Sequence, residues 1–217
     1  MTRKQIDLHP DAIAPVVRGL WHAAAEKLDE AQAGTKQMET ARDRIAYENG
    51  WVRFVESLEE FWVRFFDEGK SNFGPFQPWA GTIDAQRKAD ELLNYLVQSR
   101  HQTQHGRISL KWTEPKLHIA PGFNGHIQNL RIFPDGTFEI GATPTPGSSV
   151  EAAVTYNPGD AELPEIYNAK WKQVFAPPKS HAGQPIADST PLTAARLALA
   201  HYTAVLEQAF AKFGKAG

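Results

Sequence analysis

Apolar positions recur along the chain with two different periods. From Pro10 onward, Ile13, Val17, Leu20, Ala24 and Leu28 follow at steps of three and four, the repeat of an amphipathic helix. Pro15 is tolerated there if it falls in the first turn. Gly34-Thr35 reads as a stop followed by a new N-cap. A long second helix is predicted over 36–68. It has Trp51, Val55, Leu58, Trp62 and Phe65 on one stripe and Phe54, Phe61 and Phe66 on its flanks. So wide an apolar face asks for more than one packing neighbour. These rings read as core rather than as a platform for stacked bases, and Gly50 reads as a point of bending. Residues 69–81 read as a loop rich in Gly and Pro, anchored by Phe73, Phe76 and Trp79. A third helix is predicted from Thr82 or Asp84 to Gly106, with Ala85, Ala89, Leu92, Leu93, Leu96 and Val97 as its stripe.

The period changes over 107–189, where most of the prolines lie. Ile108, Leu110 and Trp112 alternate with polar residues, as in a strand. Arg131 to Ile140 reads as a hairpin turned by Pro134-Asp135-Gly136, and short strands are predicted near 154–156 and 171–175. The helical period then returns. Ser189 or Thr190 is the cap and Pro191 takes the first helical position. Leu192, Ala195, Leu199, Tyr202, Val205, Ala209 and Phe213 form the buried stripe. The expected fold class is α+β, mainly α. It is a four-helix bundle with helices one to three in 1–106, a β-rich insertion over 107–189 and the closing helix in 190–217.

Composition narrows the function classes. Of 217 residues, 41% are hydrophobic, enough for a sizeable core, and the formal net charge is −2. That balance argues against wholesale electrostatic capture of nucleic acid but leaves room for a local basic cleft. The absence of cysteine removes disulfides, thiolate-bound zinc, iron–sulfur clusters and thiol nucleophiles. No apolar run approaches the roughly 20 residues of a membrane helix. With no secretory leader legible, a cytoplasmic location and no membrane partner are expected.

The chemistry-bearing segment is Tyr95-Leu-Val-Gln-Ser-Arg100-His101-Gln-Thr-Gln-His105-Gly106. Four residues after Leu96, the buried stripe reaches Arg100, so a guanidinium stands where the pattern calls for leucine. A buried charge without a partner is costly; Arg100 must therefore open into a cleft or pair with an anion. His101 and His105 share one helix flank at i, i+4. An arginine fork suits two phosphate oxygens, and an imidazole moves protons near neutral pH.

This segment resembles the signature of the HEPN superfamily: an Arg, a polar residue, a few further residues and a His at the end of the third helix of a helical bundle. The preceding Leu92-Leu93 and the following Gly106 are similar to the family's helix context. The resemblance implies a metal-independent endoribonuclease in which the ribose 2′-OH attacks the adjacent phosphate, leaving a 2′,3′-cyclic phosphate and a 5′-OH. By position, His105 would be general acid or base and Arg100 would stabilise charge on the phosphate. His101 would orient the substrate or His105. No cofactor is implied. RNA is the implied partner, with homodimerisation, an antitoxin-type protein partner and a stress or phage-defence setting following from the family. The alternative is a non-catalytic member that docks protein or nucleotide. Arg107 and Lys111 are candidate substrate contacts, and Arg42, Arg44, Lys116 and Arg131 could extend an RNA path. Helix two's aromatic face offers a surface for two-fold pairing.

Plainer readings stand beside these. Arg100 could form an ion pair with Glu91, Glu60 or Asp67. His101 and His105 have the spacing of a His-x-x-x-His zinc pair, but no third ligand is evident and no metal is expected. The remaining histidines, among them His181 and His201, read as surface or satisfied core. Ser180-His181 is poor hydrolase geometry, because neighbours in an extended chain face opposite ways.

Overall fold

Helix α1 (Pro15–Thr40) and helix α2 (Arg44–Trp62) are joined by only three residues, so they must fold back on each other. The computed structural model describes residues 15–104, 110–119, 125–133, 138–144, 154–157 and 159–213. Cross-links fix the direction of the hairpin. Gln37 Nε2 donates to the Ala46 carbonyl at 3.2 Å, and Lys27 Nζ lies 2.7 Å from Glu60 Oε2. The pairing thus advances along one helix as it recedes along the other.

The expected stop at Gly34 does not occur. The helix runs on to Thr40, and the break falls at Ala41-Arg42-Asp43, where the Asp43 side chain accepts from the Ala46 N–H at 2.7 Å. Lys36 therefore belongs to α1. Gly34 is instead the point where the two helices touch. A Cβ built there would lie 2.7 Å from both the Gly50 oxygen and the Phe54 nitrogen. Gly50 is the other half of the contact rather than a bend: its Cβ would lie 2.9 Å from the Gly34 oxygen. Alanine for glycine inside a helix ordinarily stabilises it by about 0.5–1 kcal/mol. Gly34→Ala should do the reverse, lowering stability by about 1–3 kcal/mol, because the obstructing atoms are backbone. Urea unfolding measures the sign, and a gain in stability would show that the helices are not in contact there.

The predicted stripe of α2 is buried as expected: Trp51, Phe54, Val55, Leu58, Phe61 and Trp62 are sealed, with Phe65 and Phe66 just beyond. A π-helical turn at Val63–Asp67 widens the helix, with the Glu68 N–H bonding the Val63 oxygen. The wide face is covered by α1, by α5 (Glu91–Gln104) and by α6 (Pro191–Phe213) of the same chain. Phe61 and Trp62 both meet the Tyr202 ring of α6. This aromatic surface is spent inside one chain, so it is not an interface for a second copy.

The expected loop at 69–81 is largely helical: α3 (Glu68–Asn72) is followed by α4 (Phe76–Ala89). The expected third helix is two helices. Asp90 takes extended backbone angles (φ −82°, ψ 126°) and separates α4 from α5. This break resets the helical phase. Ala85 and Ala89 are exposed, and the buried residues of α4 are Phe76, Ala80, Ile83 and Arg87.

The closing helix is as expected. The Thr193 N–H donates to Thr190 Oγ1 at 3.2 Å, Pro191 opens the helix, and Ala195, Tyr202, Val205 and Ala209 are buried. It runs antiparallel to α1, with Arg196 at 2.9 Å from Glu39 near one end and Phe210 against Trp21 near the other.

Between α5 and α6 the described strands form five two-stranded antiparallel ladders, one of them β2 (Lys116–Ile119) with β5 (Val154–Asn157). The long hairpin is β3 (Gly125–Ile132) with β4 (Phe138–Pro144), and Arg131 faces Glu139. Its predicted turn residues, 134–136, lie outside the described residues, as does Ile108. The ladder of β1 (Lys111–Trp112) with β6 (Ala161–Glu162) and the hairpin of β7 (Ile166–Asn168) with β8 (Gln173–Phe175) contribute to the core through Ala161 and Ile166. The whole is mainly helical with short antiparallel strands, and no helix is long and apolar enough to cross a membrane among the described residues.

Candidate functional site

Of the residues singled out from sequence, helix α5 carries Arg100 and His101. Leu92, Leu93 and Leu96 are in the core, and Arg100, on the same face near the helix end, is half-buried and engaged by its surroundings. The carboxylates considered as its partners have other engagements. Glu60 pairs with Lys27, Asp67 with Lys70, and Glu91 accepts two backbone N–H groups. His101 is exposed one residue further on. His105 and Arg107 lie outside the described residues. Lys111 is exposed on β1 and pairs with Glu162 at 3.2 Å. It sits beside Trp112, whose indole N–H donates to Glu48 at 2.8 Å and whose ring lies 4.9 Å from the Arg44 guanidinium.

The other end of α5 holds a cluster that sequence reasoning missed. Asp90 is the N-cap, accepting from the Leu93 N–H at 3.0 Å. It also accepts from the Ala182 N–H at 2.7 Å and lies 3.1 Å from His181 Nδ1 through both oxygens. Glu91 accepts the Lys179 and Ser180 N–H groups at 2.9 and 3.1 Å. Two adjacent carboxylates thus clasp the tight hairpin of β9 (Ser180–His181) and β10 (Gln184–Pro185) onto the start of α5. The His181 ring meets His201 of α6 at 5.3 Å, edge to face, and His201 Nε2 is buried with no hydrogen-bond partner.

No protein-family model matches the chain, and no curated protein or solved structure is significantly similar to it. Its chemistry must therefore be judged from the arrangement of its own residues.

The clasp has an Asp–His pair, which is the orienting half of a catalytic triad, and a cleft of about 550 Å³ lined by Gln86, Asp90, Glu91, Ser180 and His201. It lacks a nucleophile. The Ser180 hydroxyl and N–H both go to Glu91, so the pair joins elements rather than activating a serine. Among the described residues no group of three or more His, Asp or Glu is arranged to hold a metal ion.

Electrostatics agree with a structural clasp. Burial works to raise the Asp90 carboxyl, but the Ala182 and Leu93 N–H groups and the His181 ring outweigh it and leave the group below its ordinary value. Burial and the neighbouring His181 push His201 down, against the opposing pull of Asp90. A folded-state value below the unfolded one means the unfolded chain binds more protons, so stability falls with acid. The His201 contribution is lost as pH drops below the ordinary histidine range, and the Asp90 contribution only below the carboxylate range. Asp90→Ala removes the cap and leaves the Ala182 N–H and His181 without their acceptor. It should cost about 2–3 kcal/mol at neutral pH, and less in strong acid. Urea midpoints across the pH range check this; equal losses at pH 3 and pH 7 would show that the carboxylate charge is irrelevant.

Proposed function

We propose that the chain is a HEPN-like bundle with a β-rich insertion that acts on RNA as a metal-independent endoribonuclease. The observation that carries this reading is the position of Arg100. It is half-buried near the end of α5, on the face that Leu93 and Leu96 bury, and the Arg-x4-His sequence runs from it to His105, outside the described residues. A cation held at the rim of an apolar stripe is preorganised for phosphate, since little side-chain freedom remains to be lost on binding.

In this reading the 2′-oxygen bonds to phosphorus as the bond to the 5′-oxygen breaks. The 2′-OH proton leaves to a base and the departing 5′-oxygen receives a proton. His105 serves one of these transfers, the Arg100 fork takes the non-bridging oxygens, and His101 lies alongside on the exposed flank. Arg107 and Lys111 contribute backbone contacts. Two-fold pairing, which the HEPN resemblance implies, uses a surface other than the sealed aromatic face of α2. An antitoxin-type partner and a stress or phage-defence setting come from the HEPN resemblance; the cytoplasmic setting comes from composition.

Because Arg100 supplies the positive charge and His105 the proton carrier, no ion is needed for charge neutralisation. Cleavage of single-stranded RNA should persist in excess EDTA and yield 2′,3′-cyclic phosphate and 5′-OH ends. An absolute requirement for a divalent ion, or 5′-phosphate products, would overturn the assignment.

A further inference from the structure

The hairpin of β7 and β8 carries large apolar side chains in the open. Tyr167, Trp171 and Val174 are 56%, 55% and 54% exposed. The register sorts them. Ile166 faces Phe175 and Asn168 faces Gln173, while Tyr167 and Val174 are partners on the opposite face. Ile166 is buried in the core, and the Asn168 amide donates to Gln98 Oε1 of α5 at 2.7 Å, so the first of these faces is turned toward α5. Trp171 lies in the tip, where its N–H donates to Asn168 Oδ1 at 3.1 Å. Its ring sits 6.4 Å from Phe175. Asn168 thus ties the tip to α5 through Gln98, which is two positions before Arg100 and faces the other side of the helix.

Next to this ring in sequence the charge is positive. Lys170 and Lys172 are its neighbours, and the nearest acidic residues along the chain are Glu165 and Asp188, in a protein whose net charge is −2. Lys170 and Lys172 flank Trp171 and are exposed, and Lys172 takes a left-handed backbone conformation (φ 53°) that closes the tip. An exposed indole with a lysine on each side has the two parts of a single-strand site: a π face for a base and cations for the backbone.

We infer that the β7–β8 tip binds single-stranded RNA, with one base stacked on Trp171 and the adjoining phosphates on Lys170 and Lys172. This deepens the proposed ribonuclease reading by naming where its substrate is gripped, and rests on it for RNA as the strand. The stacking site itself can be tested separately, because binding can be scored on a strand that cannot be cut.

The probe is a fluorescent single-stranded oligonucleotide with 2′-O-methyl riboses, which lacks the attacking hydroxyl, titrated by anisotropy with the full chain. Trp171→Ala should weaken binding roughly tenfold, within the range for loss of one stacked base, and Trp171→Phe should recover most of it. Replacing Lys170 and Lys172 by Ala should flatten the salt dependence by about 0.7 per lysine that contacts a phosphate. An exposed ring contributes little to folding, so thermal melts of these variants should match the wild type. Unchanged affinity in Trp171→Ala, or no binding of the strand by the wild type, overturns the inference. So does light scattering that shows Trp171→Ala converting a dimer to a monomer while RNA affinity stays the same; the tip would then join two copies. Trp171-dependent binding without cleavage of ordinary RNA retains the site and removes the ribonuclease reading; cleavage with Trp171-independent binding does the opposite.

Discussion

Alanine at His105 is expected to reduce RNA cleavage by roughly 10²–10⁴-fold, the usual contribution of a positioned general acid or base. Binding of an uncleavable strand should change little, because in this reading Arg100 holds the phosphate in the ground state and His105 acts on the transferred proton. Arg100→Ala should behave differently, weakening binding and turnover together, since a guanidinium attracts phosphate in the ground state as well as in the transition state. Lysine at position 100 should restore affinity more than rate, because a point charge does not reproduce the two-pronged fork. Single-turnover cleavage of an end-labelled strand, run beside a binding titration, separates the two effects. Full activity in His105→Ala would remove this histidine from the chemistry and, with it, the functional reading of the motif.

The second large effect is on stability. Arg87 is only 7% exposed; its guanidinium pairs with Glu59 and lies 4.0 Å from the centre of the Trp62 ring. Tyr202 completes the cluster, its hydroxyl pushed up to about 12 by burial. Arg87→Ala leaves the Glu59 carboxylate without its counter-charge against an aromatic wall and strips the cation from Trp62, so a loss of about 3–5 kcal/mol is expected. The double substitution Arg87→Met with Glu59→Gln removes both charges while keeping the volume, and should recover much of that loss. A double-mutant cycle by urea unfolding measures the coupling. A single Arg87→Ala variant within about 1 kcal/mol of wild type would show that solvent reaches the pair.

These particular residues show what a single sequence can reveal and where it stops. The faces of α2 and α6 were readable because their large apolar residues keep a helical step across the whole element. Gly34 was misread because a glycine that ends a helix and one that admits a neighbouring backbone look alike in sequence; only the position of Gly50 tells them apart. The break at Asp90 is hidden for a related reason. Apolar residues continue on both sides of it, so one helical phase was carried through the break. That hid the true stripe of α4, Phe76, Ala80, Ile83 and Arg87, and with it the buried cation. Arg100 was legible as a local departure from pattern. The Asp90–His181 contact was not, because it joins residues 91 positions apart and depends on how the excursion folds back. Trp171 was placed in a short strand, and that segment does form β8 from Gln173, with the indole left in the turn before it.

The late position of α6 in the chain has a consequence for biosynthesis. The α1–α2 hairpin needs only residues close in sequence and can form as soon as it leaves the ribosome, as local contacts generally do. The rings of Phe61 and Trp62, however, are closed over by Tyr202, which is translated only after the entire β-rich excursion. Throughout that interval the nascent chain displays an aromatic surface that the finished protein hides. A chain stopped before α6 would therefore be expected to retain helix, bind hydrophobic dyes and engage chaperones.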